Sequence, residues 1–208
     1  ALNGKANGAI LGAAEAVEFT GKAKTSFELL APAGLDIRRL VVIGAGQPDQ
    51  AKETDWVNLG GYTYAQITAR KAEVASLLAE VPDVKARSAA DIAADMAFGA
   101  VLRSYRFRKY ITRQREDENG ERKPDGLTRL IVHTQDPDAA ATAFARRKAV
   151  ASGIFLARDL VNEPANVLGP VEFAERVQSC SGTAPSRAGA SRCASSAKAC
   201  ASTPAVCP

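Results

Sequence analysis

The chain has 208 residues, and its 27 Lys and Arg against 23 Asp and Glu give a formal net charge of +4. Arg187, Arg192 and Lys198 lie in the last 30 residues, and without them the charge is nearly balanced. Such balance gives no support to binding of nucleic acid or of an anionic membrane surface. No apolar run reaches the roughly 18 residues that a membrane span needs, and no signal peptide pattern is visible.

The segment 179–208 differs in composition from the rest of the chain. It contains all four cysteines, it lacks Asp, Glu, Leu, Ile and Phe, and it shows no periodic apolar face. It cannot offset an ordering entropy of about 1 to 2 kcal/mol per residue, so we expect a disordered low-complexity tail. We interpret this segment as the out-of-frame product of a frameshift near Gln178 in a GC-rich gene. A genuine Cys-rich tail is the alternative.

Cysteine placement indicates a reducing compartment for the folded part, because residues 1–178 contain no cysteine. The tail spacings of 13, 7 and 7 residues between Cys180, Cys193, Cys200 and Cys207 do not match a zinc knuckle. We therefore expect a cytoplasmic protein without a zinc site in its tail.

Residues 1–178 alternate between strand and helix patterns. Clusters of apolar residues predict strands at 24–31, 40–43, 73–78 and 127–134. The second of these, Leu40-Val41-Val42-Ile43, is a continuous apolar run typical of a buried parallel strand. Helices are predicted at 54–69, 88–107 and 137–161. Strands that alternate with helices predict an α/β fold, a three-layer domain with a largely parallel sheet.

Start and stop signals support the two later helices. Ser88 and Asp91 form a Ser-x-x-Asp start, and the following stripe on one helix face contains Ile92, Met96 and Gly99. Asp136-Pro137 is a start signal for the long helix, and Glu163-Pro164 is its stop.

The run Val41-Val42-Ile43-Gly44-Ala45-Gly46 resembles the opening of a dinucleotide-binding fingerprint. The third glycine of that fingerprint would fall at Asp49, whose carboxylate would also repel a pyrophosphate. A tight turn from strand to loop is the preferred interpretation.

The segment Arg103-Ser104-Tyr105-Arg106-Phe107-Arg108-Lys109-Tyr110 interleaves cations with aromatic rings, as a surface for single-stranded nucleic acid does. The alternative is structural: Tyr105 and Phe107 face a core while the Arg heads stay in water. Glu116-Asp117-Glu118 follows closely and cancels the positive field. We therefore do not expect nucleic acid as a partner.

Three titratable residues are candidate site residues. His133 is the only histidine, and no partner set accompanies it, so a structural or surface role is favoured. Asp91 and Asp95 lie four residues apart on one helix face, where they can chelate a divalent ion. A helix cap and the helix dipole explain Asp91 more simply.

The run Ala157-Arg158-Asp159-Leu160-Val161-Asn162-Glu163-Pro164-Ala165-Asn166, with the helix start at 171–176, resembles the entry into the catalytic domain of leucyl (cytosol) aminopeptidases. Weaker similarities lie at 19–22, 41–44 and 99–107. The resemblance implies a macro-like N-terminal domain in a cytoplasmic homohexameric metallopeptidase. Such an enzyme acts on peptide substrates with two divalent ions, zinc, manganese or magnesium.

The resemblance also sets the expected domain boundaries. Residues 1–135 would form the N-terminal domain without its first strand, 136–162 the linker helix, and 163–178 the start of the catalytic domain. The family's metal ligands lie in Gly-Lys-Gly-x-x-Phe-Asp and Asn-Thr-Asp-Ala-Glu-Gly-Arg segments, and the chain contains neither. No catalytic, cofactor-binding or metal-binding residue is therefore assigned, and we expect an inactive fragment, cut at both ends, with no bound metal. A macro-like binding module and a nucleic-acid adaptor are the alternatives.

Overall fold

The computed structural model describes residues 2–47, 55–70, 72–81, 87–111 and 127–181. Strands and helices follow one another along these ranges. In chain order they are α1 Leu2–Lys5, α2 Ala9–Ala16, β1 Ser26–Leu30, β2 Arg39–Ile43, α3 Trp56–Ala69, β3 Val74–Leu78, α4 Ala89–Ser104, β4 Arg129–His133, α5 Pro137–Asn162 and α6 Pro170–Ser181. The α/β class predicted from the sequence is confirmed.

The chain divides into two compact units. Unit one contains Ala1–Arg106 and Tyr110–Ala151, and unit two contains Phe107–Lys109 and Ser152–Pro208. The division falls inside α5, which therefore contributes its first part to unit one and its last part to unit two.

Two strand pairs lie in unit one. β1 and β2 are antiparallel, with Phe27 opposite Val42, and β3 and β4 are parallel, with Leu77 opposite Val132. The prediction that residues 40–43 form a buried parallel strand was wrong: β2 is antiparallel and its apolar side chains are half-buried. The reason is the short connection between β1 and β2, because a parallel crossover needs a dozen or more residues. β3 and β4 have such a crossover, and it contains α4.

The core of unit one lies between α3 and α4 and one face of β3 and β4. Its largest fully buried side chains are Trp56 and Ile92, which are 1% and 2% exposed. Two glycines allow the helices to touch: a Cβ on Gly60 would lie 2.0 Å from the carbonyl oxygen of Met96, and one on Gly99 would lie 1.8 Å from that of Val57. The predicted stripe of Ile92, Met96 and Gly99 is buried, as expected for the core face of α4.

Side-chain caps begin α3, α4 and α5, the three long helices that start in unit one. The Ser88 hydroxyl accepts a hydrogen bond from the Asp91 amide at 3.0 Å, as the Ser-x-x-Asp pattern predicted. Asp55 caps α3 through the Asn58 amide, and Asp136 caps α5 through the Ala139 amide, at 2.9 and 3.0 Å. These caps satisfy amides that the first turn of a helix leaves without an intrahelical partner.

Two boundaries differ from the sequence prediction. α4 ends at Ser104, not Phe107, because Tyr105 leaves the helical region with φ −55° and ψ 129°. α1 and α2 were not predicted, since Gly4, Gly8 and Gly12 interrupt any helical pattern in that part of the sequence. The predicted disordered tail lies outside the described residues except for 179–181, which complete α6. Within the described ranges, none of the helices combines the length and the apolar character that crossing a bilayer requires.

Candidate functional site

The Gly44-Ala45-Gly46 turn after β2 is closed by the backbone of residues 21–25. The Gly44 amide donates to the Thr25 carbonyl at 2.9 Å, and the Gly46 amide donates to the Gly21 carbonyl at 3.0 Å. A Cβ on Gly44 would lie 2.1 Å from the Lys22 carbonyl oxygen. A dinucleotide fold needs these amides and this space for its pyrophosphate. The turn therefore joins strand to loop, the interpretation preferred from sequence, while Asp49 lies outside the described residues.

Asp91 and Asp95 share one face of α4, and that face meets α5 through Arg147. The Arg147 guanidinium donates from Nε to Asp95 Oδ1 at 2.6 Å and from Nη2 to Asp91 Oδ1 at 3.2 Å. Its Nη1 donates to the Ala143 carbonyl one turn earlier, which holds the side chain along α5. The fork geometry of Arg suits two carboxylates at once.

The remaining oxygens of the two carboxylates also have partners. Asp95 Oδ2 lies 2.8 Å from Nη2 of Arg87, and Asp91 Oδ2 accepts a hydrogen bond from the Ser88 hydroxyl at 2.8 Å. A divalent ion would need these same lone pairs. The described ranges also contain no group of three or more His, Cys, Asp or Glu residues able to hold a metal. The acidic pair is therefore an ion-pair network and does not fit the ions that the resemblance implies.

Electrostatics agree with this assignment. The hydrogen bond from Ser88, and after it that from Arg147, holds the pKa of Asp91 below its usual value. Burial alone would lower the pKa of Arg147, but hydrogen bonds to Asp95 and Asp91 raise it above the usual value. Both groups are thus kept charged, whereas a general acid or base needs a pKa near the working pH.

The free energy of unfolding should fall in acid, and protonation of Asp91 should be one cause. The pKa values of Glu28, Asp55 and Asp91 are lowered, chiefly by hydrogen bonds from Arg70, the Asn58 amide and Ser88 respectively. A carboxylate with a lowered folded pKa contributes stability above its unfolded pKa, and this is lost as pH falls through the folded pKa. We expect the free energy of unfolding to decrease from about pH 5 to about pH 2.

Urea denaturation at a series of pH values measures this decrease, with the fluorescence of Trp56, the only tryptophan, as the signal. Asp91→Asn should make the decrease shallower, because it removes one of the titrating groups. Glu80→Gln, which changes an exposed carboxylate of the same unit, is the control. An Asp91→Asn profile as steep as that of the unchanged chain would contradict the assignment.

An open groove of about 370 Å³ runs beside the ion-pair network in unit one. Its lining combines small and polar side chains of α4 and α5: Asp91, Ala139, Thr142, Ala143, Arg146 and Arg147. Its one carboxylate and Arg147 already bind each other, and the Thr142 hydroxyl donates to the Asp138 carbonyl at 3.0 Å. The lining contains no nucleophile paired with a base, which covalent nucleophilic catalysis would need.

His133 and the segment 103–110, the other two candidates from the sequence, do not take part in this ion-pair network. His133 is exposed at the end of β4, where its carbonyl oxygen accepts from the Ala79 amide at 3.0 Å. In the segment after α4, Tyr105 and Phe107 are half-buried, whereas Arg106 and Arg108 are exposed. This alternation matches the structural interpretation of the segment.

Sequence reasoning missed Arg147 and Arg87, the cations that hold the acidic pair. Arg147 lies 52 residues from Asp95 in the chain, so no local spacing connects them. Arg146 and Arg147 are adjacent on a predicted helix, and only the packing of α5 decides which one faces α4. No signal in a single sequence distinguishes the two.

Comparison with known families gives a match over more than half of the chain. The profile described as the cytosol aminopeptidase family, N-terminal domain, matches residues 1–114. A probable cytosol aminopeptidase of Rhizobium rhizogenes is 42% identical over 168 residues, which are 80% of this chain and 32% of that protein. The chain thus spans about a third of the length of the curated relatives that it matches.

Two solved structures share the fold. A variant of tomato leucine aminopeptidase superposes with a TM-score of 0.64 at 24% identity, covering 88% of this chain and 34% of that one. The bottromycin maturation enzyme BotP in complex with Mn superposes with a TM-score of 0.58 at 24% identity, covering 79% of this chain and 32% of BotP.

Proposed function

The chain belongs to the cytosol aminopeptidase family, and we propose that it is a non-catalytic N-terminal part of an enzyme that releases N-terminal amino acids from peptides. The match of residues 1–114 to the family's N-terminal domain carries this proposal. The absence of a catalytic constellation among the described residues of unit one supports the non-catalytic role.

The full-length enzyme would use two divalent ions, manganese, zinc or magnesium, for Lewis-acid chemistry, and the described residues of this chain include no group that would hold them. BotP, a structural neighbour, was solved with Mn. The 208 residues contain neither of the family's metal-binding segments, and both oxygens of Asp91 and of Asp95 are bound to other side chains. We propose that this chain by itself binds no catalytic metal and is inactive.

We further propose the arrangement 1–135 for the N-terminal domain, 136–162 for the linker helix and 163–178 for the start of the catalytic domain. Exposed apolar side chains on the last two segments support it: Val161 is 85% exposed, Val171 66% and Phe173 48%. Removing apolar surface from water contributes about 25 cal/mol per Å². A second domain that covers these side chains would therefore stabilise the protein. Cytoplasmic location and homohexameric assembly belong to the same proposal for the full-length enzyme.

The purified 208-residue chain should hydrolyse no leucyl substrate, even with added manganese or zinc. We expect no hydrolytic activity at all, because metal-assisted hydrolysis needs the carboxylate and Lys ligands of the two segments that this chain does not contain. Release of p-nitroaniline from leucine p-nitroanilide measures it, with a full-length family member as the positive control. Turnover that follows the chain through purification and stops on addition of a chelator would refute the proposal.

Two binding measurements on the same sample separate this proposal from the alternatives. Heat released on titration with ADP-ribose would favour a macro-like binding module. DNA binding that weakens steeply with salt would favour a nucleic-acid adaptor. We expect neither, because the Gly44–Gly46 turn is closed and the charge of residues 1–178 is nearly balanced.

A further inference from the structure

Glu163 is a buried charge at the point where α5 ends. Its side chain is only 3% exposed, although Asn162 and Pro164 on either side of it are exposed. In the sequence, Glu163-Pro164 is a stop signal for the helix and lies within the run 157–166 that resembles the aminopeptidase family. An ionised carboxylate that is removed from water has to be paired, because its desolvation is costly.

Two cations from distant parts of unit two meet this carboxylate. Lys109 forms an ion pair with Oε1, and Nη1 of Arg176 lies 3.5 Å from the same oxygen. Lys109 belongs to the segment after α4, and Arg176 belongs to α6. One oxygen atom therefore links three segments of unit two: residues 107–109, the end of α5, and α6.

Over residues 170–178, whose side chains the structure describes, apolar burial gives α6 little support. Along this helix of 12 residues, Val171, Phe173 and Val177 are 66%, 48% and 44% exposed. Isolated helices of that length are marginal in water, so α6 needs contacts outside itself to stay folded. The turn before it makes short-range backbone hydrogen bonds, from the Val167 and Leu168 amides to the Pro164 carbonyl and from the Phe173 amide to the Gly169 carbonyl.

We propose that Glu163 is an ionic clasp, a buried carboxylate that holds α6 and residues 107–109 against the end of α5. The clasp fixes the direction in which the chain continues after α5. Lys109 and Arg176 are 51% and 37% exposed, so water screens their side of the two ion pairs. The Glu163 side chain itself is 3% exposed, so the loss of a cation costs more than it would at a fully exposed pair. The inference rests on unit two alone and does not depend on the proposed enzymatic function.

Amide hydrogen exchange of the full 208-residue chain tests the clasp. Glu163→Gln keeps the size of the side chain and removes its charge. The protection of the α6 amides should fall on the order of tenfold or more, while protection in α4, which lies in unit one, stays unchanged. Glu175→Gln, an exposed carboxylate on α6 itself, is the matched control and should change protection by less than about twofold.

A second pair of variants changes Lys109, one of the two cations that bind Glu163. Lys109→Met should reduce the protection of α6 in the same direction, and Lys109→Arg, which keeps the charge, should retain it. The proposal is overturned if Glu163→Gln leaves α6 as protected as before, or if α4 loses protection to the same extent. If Glu163→Gln does not fold, the two Lys109 variants provide the test. Equal protection of the α6 amides in Lys109→Met and Lys109→Arg then overturns the proposal.

Discussion

Gly60→Ala is expected to destabilise unit one by about 3 kcal/mol or more, the upper end of the cost of overpacking. The added Cβ would lie 2.0 Å from the Met96 carbonyl oxygen and 2.6 Å from its carbonyl carbon. These are backbone atoms, so no rotamer change relieves the overlap, and α3 and α4 have to move apart. Urea denaturation followed by the fluorescence of Trp56, which is 1% exposed in this core, measures the effect.

The neighbouring glycine provides the matched control. A Cβ on Gly61 meets its nearest atom, the Gly99 carbonyl oxygen, at 3.4 Å, which is ordinary contact. Gly61→Ala should therefore leave stability unchanged or raise it by up to about 1 kcal/mol, since Ala favours helix over Gly. Equal effects of the two substitutions would show that the helices do not approach as closely as described.

Arg147→Met is expected to cost unit one about 2 to 3 kcal/mol. The side chain is 20% exposed, and its removal leaves Asp95, whose side chain is 9% exposed, with Arg87 as its remaining ion-pair partner among the described residues. Breaking a fully buried pair costs more, about 3 to 5 kcal/mol, but part of this network is open to solvent. Urea denaturation with the Trp56 signal again measures the change.

Arg146→Met is the control for this substitution, because Arg146 is the preceding residue of α5 and is exposed. Its effect should stay within about 0.5 kcal/mol, as for most surface substitutions. The double variant Asp95→Asn with Arg147→Met should cost less than the sum of the two single ones, because the residues form one network. Additive costs would contradict a direct pair between Asp95 and Arg147.

Local signals in the sequence determined which of the described segments between residues 24 and 162 form strands and helices, although α1 and α2 were not predicted. The Ser88 and Asp91 pattern predicted the start of α4, and Asp136-Pro137 with Glu163-Pro164 predicted both ends of α5 to within one residue. Caps and proline act on backbone groups a few residues away, so a sequence window contains all the information they need. The resemblance at 157–166 likewise indicated the family that the comparisons show.

Tertiary structure alone decided what the polar residues of these segments do. The sequence allowed Asp91 and Asp95 to chelate an ion but favoured a helix cap for Asp91, and it presented Glu163 as part of a stop signal. Packing supplied Arg147 to the first two, and Lys109 and Arg176 to the third. The partners lie 13 to 56 residues away along the chain, beyond any periodicity of a helix or strand. A carboxylate takes its role from the charges that surround it in space, and those are set only when the helices have packed.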